Sequence, residues 1–129
     1  MNTLDIRDKA EILKLLGHPT RLLILEELAK GAKCVTDIKD LLEIEQSNLS
    51  QHLSVLRKLK IIDFYEDGAL RCYYITRPRM VDSLFMFLSG NYPVVQRSCE
   101  EVRKEGKRRQ KKKGASLWFM IASQKRNFV

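Results

Sequence analysis

One stretch decides the fold of this chain: Gln46-Ser47-Asn48-Leu49-Ser50-Gln51-His52-Leu53-Ser54-Val55-Leu56-Arg57-Lys58. Leu49, Leu53 and Leu56 recur at helical spacing, so the pattern predicts a helix with one apolar face. The other face carries short side chains that donate and accept hydrogen bonds, and the stretch contains no carboxylate. Such side chains suit the base edges and phosphates of a DNA major groove. A solvated helix surface rich in Ser and Gln is the alternative interpretation.

The segments on both sides extend this pattern. Residues 35–43 place four apolar side chains on one helix face, and Ile44-Glu45 form the short break that a helix-turn-helix requires. Residues 61–75 are rich in β-branched and aromatic residues and contain Asp67-Gly68, a strong hairpin-turn signal. The sequence therefore predicts a mainly α fold with a small β-hairpin, which is the layout of a winged helix-turn-helix.

At these residues the chain resembles the ArsR/SmtB repressors of bacteria. Leu16-Gly17-His18-Pro19-Thr20-Arg21-Leu22-Leu23-Ile24-Leu25 is similar to the family's entry into its second helix. Residues 47–53, followed by Leu56-Arg57, resemble its recognition helix, and residues 67–74 resemble its wing. The resemblance covers roughly residues 5–100, with the three motifs in the family's order. It implies a homodimeric, ligand-responsive transcriptional repressor, without identifying the ligand.

Length and composition predict one cytoplasmic domain. A chain of 129 residues falls within the usual domain size of about 100–200 residues. The sequence contains no run of about 18 apolar residues, so no transmembrane helix is predicted. Residues 1–5 lack the pattern of a signal peptide. The cysteine count is odd, with thiols at 34, 72 and 99, which argues against a disulfide framework and fits a reducing compartment.

The net charge of +8 is concentrated at the C-terminal end. Residues 103–129 hold ten Lys or Arg and one acid, Glu105, which leaves 14 basic and 15 acidic residues in 1–102. We therefore predict a winged-helix DNA-binding and dimerisation domain over 1–102 and a basic tail over 103–129. Docking on the domain and contact with a membrane surface are two alternatives for the apolar segment 117–121. We interpret the tail as disordered or weakly docked.

Three further helices are predicted around the helix-turn-helix. They cover residues 5–16, residues 20 to about 29, and residues 79–89, and Pro93 is placed to start another. The 79–89 helix is apolar over most of its circumference, so it needs a partner. We expect a homodimer formed through the first and last helices.

The predicted DNA contacts lie on the recognition helix and the wing. Base-edge or phosphate contacts are assigned to Gln46, Ser47, Asn48, Ser50, Gln51 and His52, and phosphate contacts to Arg57, Lys58 and Arg71. Lys60 joins the last three in a local basic patch. His52 has a second interpretation as a packing histidine. His18 is interpreted as a turn residue rather than a pH-sensitive or metal-binding group.

The cysteines define what an effector site would need. Arsenic-type members of the family carry three thiols at the start of the first helix of the helix-turn-helix, but this chain keeps Cys34 and has Thr36 and Lys39 at the other two positions. Because a soft metal or metalloid needs two or three thiolates, that site is incomplete. No cofactor is assigned, and a metal or metalloid ion stays open as an alternative. The zinc-type site is absent, since no His follows His52. Cys34 and Cys99 remain candidates for a thiol-sensing pair or for small buried apolar residues.

These observations favour a sequence-specific repressor that binds double-stranded operator DNA and is released by a ligand or a thiol modification. The alternative is a winged-helix protein-interaction module without DNA affinity. An enzyme is not expected, because the sequence shows neither a phosphate-binding glycine loop nor a nucleophile–base pair.

Overall fold

The structure is a computed structural model that describes the backbone of residues 4–111 and the side chains of residues 4–109. Within this part the chain forms a unit of residues 7–90 and a second unit that contains residues 91–111. The helices are α1 (Ile6–Leu16), α2 (Pro19–Ala29), α3 (Val35–Leu42), α4 (Gln46–Lys58), α5 (Pro78–Ser89) and α6 (Cys99–Lys111). The strands are β1 (Lys33–Cys34), β2 (Ile62–Asp67) and β3 (Leu70–Ile75).

The three strands form an antiparallel sheet in the order β1-β3-β2. Asp67 and Leu70 face each other at the tip of the hairpin, so the loop is Gly68-Ala69 rather than the predicted Asp67-Gly68. Gly68 has a φ of 62°, which a residue with a side chain rarely adopts. A glycine at the first of two loop positions is typical of a tight hairpin turn whose twist matches that of the strands.

The core of residues 7–90 lies between the helices and the sheet. Helices α2 and α4 each contribute three buried side chains, because apolar residues recur at helical spacing in both. The buried apolar cluster consists of Leu16, Ile24, Leu25, Leu28, Ile38, Leu49, Leu53, Leu56, Ile61, Ile62, Tyr73 and Val81. The predicted winged helix-turn-helix is therefore confirmed.

Strand β1 was not predicted from the sequence, and it overturns the expectation about disulfides. It is two residues long and pairs Lys33 with Tyr73 and Cys34 with Cys72. Cys34 and Cys72 are joined by a disulfide bond, while Cys99 is a free, exposed thiol. Strand β1 brings Cys34 to Cys72 on the wing strand, while the pairing of Cys34 with Cys99 in a thiol sensor stays a prediction.

The last helix begins later than predicted. Residues 91–98 have no regular structure, and α6 starts at Cys99 rather than near Pro93. Ser98 sets this start, since its Oγ accepts a hydrogen bond from the backbone N–H of Glu101 at 3.2 Å. The predicted boundary between residues 102 and 103 lies inside α6, and the segment 117–121 lies outside the described residues.

Several apolar side chains of α1 and α5 are exposed. Leu13 on α1 is 64% exposed, and Leu88 on α5 is 52% exposed, whereas Leu16 and Val81 of the same helices are buried. Each helix therefore has a buried side within the domain and a further apolar side at the surface. Across residues 4–111, no helix is long and apolar enough to cross a membrane.

Candidate nucleic-acid interface

The turn between α3 and α4 depends on a left-handed residue. Glu43 has a φ of 51° and ends α3, and its backbone N–H donates to the carbonyl oxygen of Lys39. The N–H of Ile44 donates to the same oxygen at 3.3 Å. Helix α4 then begins at Gln46, with Glu45 in extended conformation before it. This short connection turns the chain sharply, so α3 and α4 form a helix-turn-helix.

Helix α4 has the two faces that the sequence predicted. Leu49, Leu53 and Leu56 are buried, which anchors the helix to the core. The remaining predicted contact residues of the helix, apart from His52, are exposed together with Ser54: Gln46, Ser47, Asn48, Ser50, Gln51, Arg57 and Lys58. A continuous surface of hydrogen-bonding groups thus leads to two cations in the last turn.

His52 is separated from this surface. It is half-buried, and its Nδ1 accepts a hydrogen bond from Nε of Arg21 on α2 at 3.2 Å. Its ring centroid lies 4.4 Å from that of His18, the residue that caps α2. Burial lowers the pKa of His52, and the neighbouring His18 and Arg21 lower it further. These contacts favour the packing interpretation of His52 over contact with DNA.

The wing is attached to the end of α4 by two hydrogen bonds. Lys60 follows the helix with a φ of 58°, which reverses the chain towards β2. Oγ1 of Thr76, just after β3, donates to the carbonyl oxygen of Lys60 at 2.7 Å. The backbone N–H of Thr76 donates to the carbonyl oxygen of Ile61 at 2.8 Å. The end of β3 is therefore fixed to the segment that joins α4 to β2.

A charged and aromatic cluster lies where α4 meets the wing. Nε of Arg57 donates to Oδ1 of Asp63 at 3.0 Å, and the N–H of Phe64 donates to the same oxygen at 2.8 Å. The pKa of Asp63 is lowered, first by the backbone N–H of Phe64 and then by Arg57. The guanidinium carbons of Arg57 and Arg71 lie 4.3 Å and 4.6 Å from the centroid of the Phe64 ring.

An open cavity of about 700 Å³ lies at the same junction. Its lining contains four cations and one acid: Arg57, Lys58, Lys60, Arg71 and Asp63. Ser50, Ser54 and Thr76 add hydroxyl groups. A concave surface with this excess of positive charge and this number of hydrogen-bond donors suits phosphate oxygens.

The structure thus brings together the predicted cations Arg57, Lys58 and Arg71, which come from two different elements. It adds Asp63 and Phe64, which sequence reasoning missed. Phe64 faces Tyr73 across the hairpin, and Arg71 is two residues from Tyr73 on the same face of β3, so the register predicts that contact. The approach of Arg57 depends on how α4 packs on the wing, and no sequence spacing reveals it.

No group of three or more His, Cys, Asp or Glu side chains within residues 4–111 is arranged to hold a metal ion. Cys34 is half-buried and Cys72 is buried, and both are in the disulfide. The described part of the domain therefore offers these two sulfurs as one covalent unit rather than as thiolate ligands.

Comparison with known proteins agrees with this arrangement. A model of the bacterial regulatory protein, arsR family, matches residues 18–63, which contain both helices of the helix-turn-helix. An HTH-type transcriptional regulator of Methanocaldococcus jannaschii is 43% identical over 72 residues, or 55% of this chain and 81% of that protein. The chain belongs to the arsR family. Its resemblance to this family, predicted from the sequence, is thereby confirmed.

Two proteins named as transcriptional repressors show how far the likeness extends. The transcriptional repressor PagR of Bacillus anthracis is 38% identical over 78 residues, which cover 60% of this arsR-family chain and 78% of PagR. The crystal structure of PagR superposes with a TM-score of 0.55 over 64% of this chain and 94% of PagR. That of the transcriptional repressor BigR from Xylella fastidiosa is 27% identical and gives a TM-score of 0.57 over 67% of this chain and 91% of BigR.

Proposed function

We propose that this chain is a transcriptional repressor that binds a specific operator in double-stranded DNA. The observation that carries the proposal is the exposed polar surface of α4, which leads without a break into the cationic cavity beside the wing. Base edges are read by hydrogen-bonding side chains, whereas phosphates are held by cations. This surface offers the two kinds of side chain next to each other. Relatives named as transcriptional repressors, PagR and BigR, support the same function.

The residues divide into two roles. Ser47, Asn48 and Gln51 project from the first two turns of α4, which enter the groove first in a helix-turn-helix, so we assign base contacts to them. Gln46 and Ser50 take base-edge or phosphate contacts beside them. Arg57, Lys58 and Arg71 bind phosphates.

The acting form is a homodimer. Exposed apolar side chains on α1 and α5, such as Leu13 and Leu88, supply a surface that a second copy would cover. A two-fold dimer presents two copies of α4, so its operator is roughly palindromic, with half-sites about one helical turn apart. We place this dimer in the cytoplasm, without a membrane partner, and assign it no enzymatic activity.

Release from the operator follows a ligand or a thiol modification, which changes the relative position of the two recognition helices. The described residues contain one disulfide and one exposed thiol, Cys99, as groups that oxidants or reductants can change. The alternative function, a winged-helix module for protein contact, requires the same fold but no DNA affinity.

The test compares binding to a duplex from upstream of the chain's own gene with binding to a scrambled duplex of equal length. Gln51→Ala should lose about 1–3 kcal/mol of specific binding and leave binding to the scrambled duplex unchanged. Gln96→Ala, at an exposed glutamine between α5 and α6, is the matched control for loss of a polar surface side chain. Equal affinity of the parent for both duplexes would contradict specific recognition, and no affinity for either would favour the protein-contact module.

A further inference from the structure

Phe64 is the common neighbour of two cations from different elements. Arg57 belongs to the last turn of α4 and Arg71 to β3, and both guanidinium groups lie over the Phe64 ring. An aromatic face attracts a guanidinium group, and a stacked arginine keeps the N–H groups at its edge available for hydrogen bonds. The ring therefore aligns two arginines without using their donors.

The Phe64 ring is itself held in place. It faces Tyr73 directly in the register of the hairpin, the two ring centroids are 5.5 Å apart, and Tyr73 is buried. The Phe64 side chain also packs against the buried core cluster. A platform that is fixed before binding reduces the conformational entropy that Arg57 and Arg71 lose when they engage a ligand.

Asp63 supplies an acceptor at the same place. Its Oδ1 receives Nε–H of Arg57, and the two side chains are 46% and 51% exposed. An ion pair this exposed is weak and exchanges readily. Carboxylate and phosphate oxygens are equivalent acceptors for a guanidinium group. Asp63 therefore occupies the acceptor position beside Arg57 that a phosphate oxygen would take.

We propose that the cavity binds one phosphodiester of the DNA backbone, that Phe64 positions Arg57 and Arg71 for it, and that Asp63 substitutes for the phosphate when DNA is absent. This inference rests on the proposed DNA-binding function and adds the site of one phosphate to it. It also assigns roles to two residues that carry no positive charge.

The first test measures the affinity of the full chain for the upstream and scrambled duplexes over a range of salt concentrations. Phe64→Leu should weaken binding to both duplexes equally, by about two- to fivefold for each arginine that loses the ring. Phe64→Tyr keeps an aromatic face and should retain the parent affinity. Thermal unfolding of each variant shows that it is folded at the temperature of the binding experiment.

A double-mutant cycle separates positioning from a general structural effect. Arg57→Ala should lower affinity and reduce the salt slope by about 0.9 for the lost phosphate contact. In the Phe64→Leu background the same change should cost less, because the arginine is already misplaced. Lys58→Ala is the matched control, since Lys58 lines the same cavity, and its effect should be equal in both backgrounds.

Asp63→Asn tests the substitute anion independently of the ring. It keeps an acceptor for the N–H of Phe64 but removes the negative charge, so affinity for both duplexes should rise about two- to fivefold. Glu26→Gln removes the same charge from α2 and should have a much smaller effect. Parent-like affinity of both Phe64→Leu and Asp63→Asn overturns the inference while leaving the DNA-binding function intact. A parent that binds neither duplex overturns both.

Discussion

Nε of Arg21 donates a hydrogen bond to Nδ1 of His52 over 3.2 Å, and this bond joins α2 to the recognition helix. Arg21 also donates to the carbonyl oxygen of Leu15 at 2.7 Å, so one guanidinium group connects three helices. The bond to Nδ1 requires a neutral His52, because a protonated imidazole has no acceptor. The position of α4 on the domain is therefore linked to the protonation of one histidine.

Stability should fall on mild acidification because of His52. Its pKa in the folded state lies below the ordinary value of about 6.5, so the unfolded chain binds more protons between the folded pKa and pH 6.5. The contribution is fully present above pH 6.5 and is lost as the pH falls from there through the folded pKa. Urea unfolding midpoints at pH 8, 7, 6 and 5 measure this loss.

The matched variants are His52→Gln and His18→Asn. The first cannot titrate and should flatten the profile between pH 6.5 and 5. The second keeps a side-chain acceptor at the N-terminus of α2, where Nδ1 of His18 now accepts from Thr20, and should keep most of the slope. An unchanged slope in His52→Gln would assign the acid sensitivity to another group.

The disulfide should stabilise the domain by about 2–4 kcal/mol, since it closes a loop between residues separated by 38 positions. A reductant, or either of Cys34→Ser and Cys72→Ser, should lower the free energy of unfolding by that amount. Cys99→Ser should leave the free energy of unfolding unchanged, because that thiol is exposed and is not part of the disulfide. Thiol titration of the unfolded, unreduced chain should find one free thiol of the three. Finding three would refute the bond.

Substitution of two residues in the left-handed backbone conformation allows effects on stability and on DNA affinity to be measured separately. Glu43 and Lys60 have φ values of 51° and 58°, a conformation that favours glycine. Glu43→Gly and Lys60→Gly should each stabilise the domain by about 0.5–1 kcal/mol. Only Lys60→Gly removes a cation from the cavity, so it alone should weaken DNA binding and reduce the salt slope. Denaturant unfolding and salt titration of the two variants check both parts.

The basic tail is expected to add affinity for any DNA sequence. Truncation after Lys111 leaves α6 whole and removes four cations and no acid, namely Lys112, Lys113, Lys125 and Arg126. If these cations meet phosphates, the salt slope should fall by up to about 0.9 for each. A control that replaces the apolar segment 117–121 with Ser should keep the slope. A slope equal to the parent's after truncation would show that the tail has another role.

Much of the fold follows from local patterns. The spacing of Leu49, Leu53 and Leu56 predicts α4, and the apolar residues of 79–89 predict α5 to within one residue. These signals are strong because a helix needs only residues three or four apart to form its apolar face. The hairpin likewise follows from two β-rich segments around a glycine.

What the sequence does not reveal depends on contacts between distant residues. The pairing of Cys34 with Cys72 requires β1, whose two residues are too few to show a pattern. The contacts of Arg57 with Asp63 and Phe64 depend on the angle between α4 and the wing. The sequence leaves His52 open between a DNA contact and a packing histidine, and only its contact with Arg21 of α2 favours packing. The predicted start of α6 was wrong because Pro93 is a stronger signal in the sequence than Ser98, whose side chain caps the helix.

The Cys34–Cys72 bond makes a covalent ring of the part of the chain that would read DNA. Helices α3 and α4, their turn and most of the hairpin all lie between the two cysteines. A protease that cuts once inside this ring, for example at the exposed Gly68-Ala69 tip, therefore releases no fragment until the sulfurs are reduced. The nicked protein keeps its mass on a non-reducing gel and separates into two pieces on a reducing one. The comparison of the two gels therefore shows directly whether the bond is present.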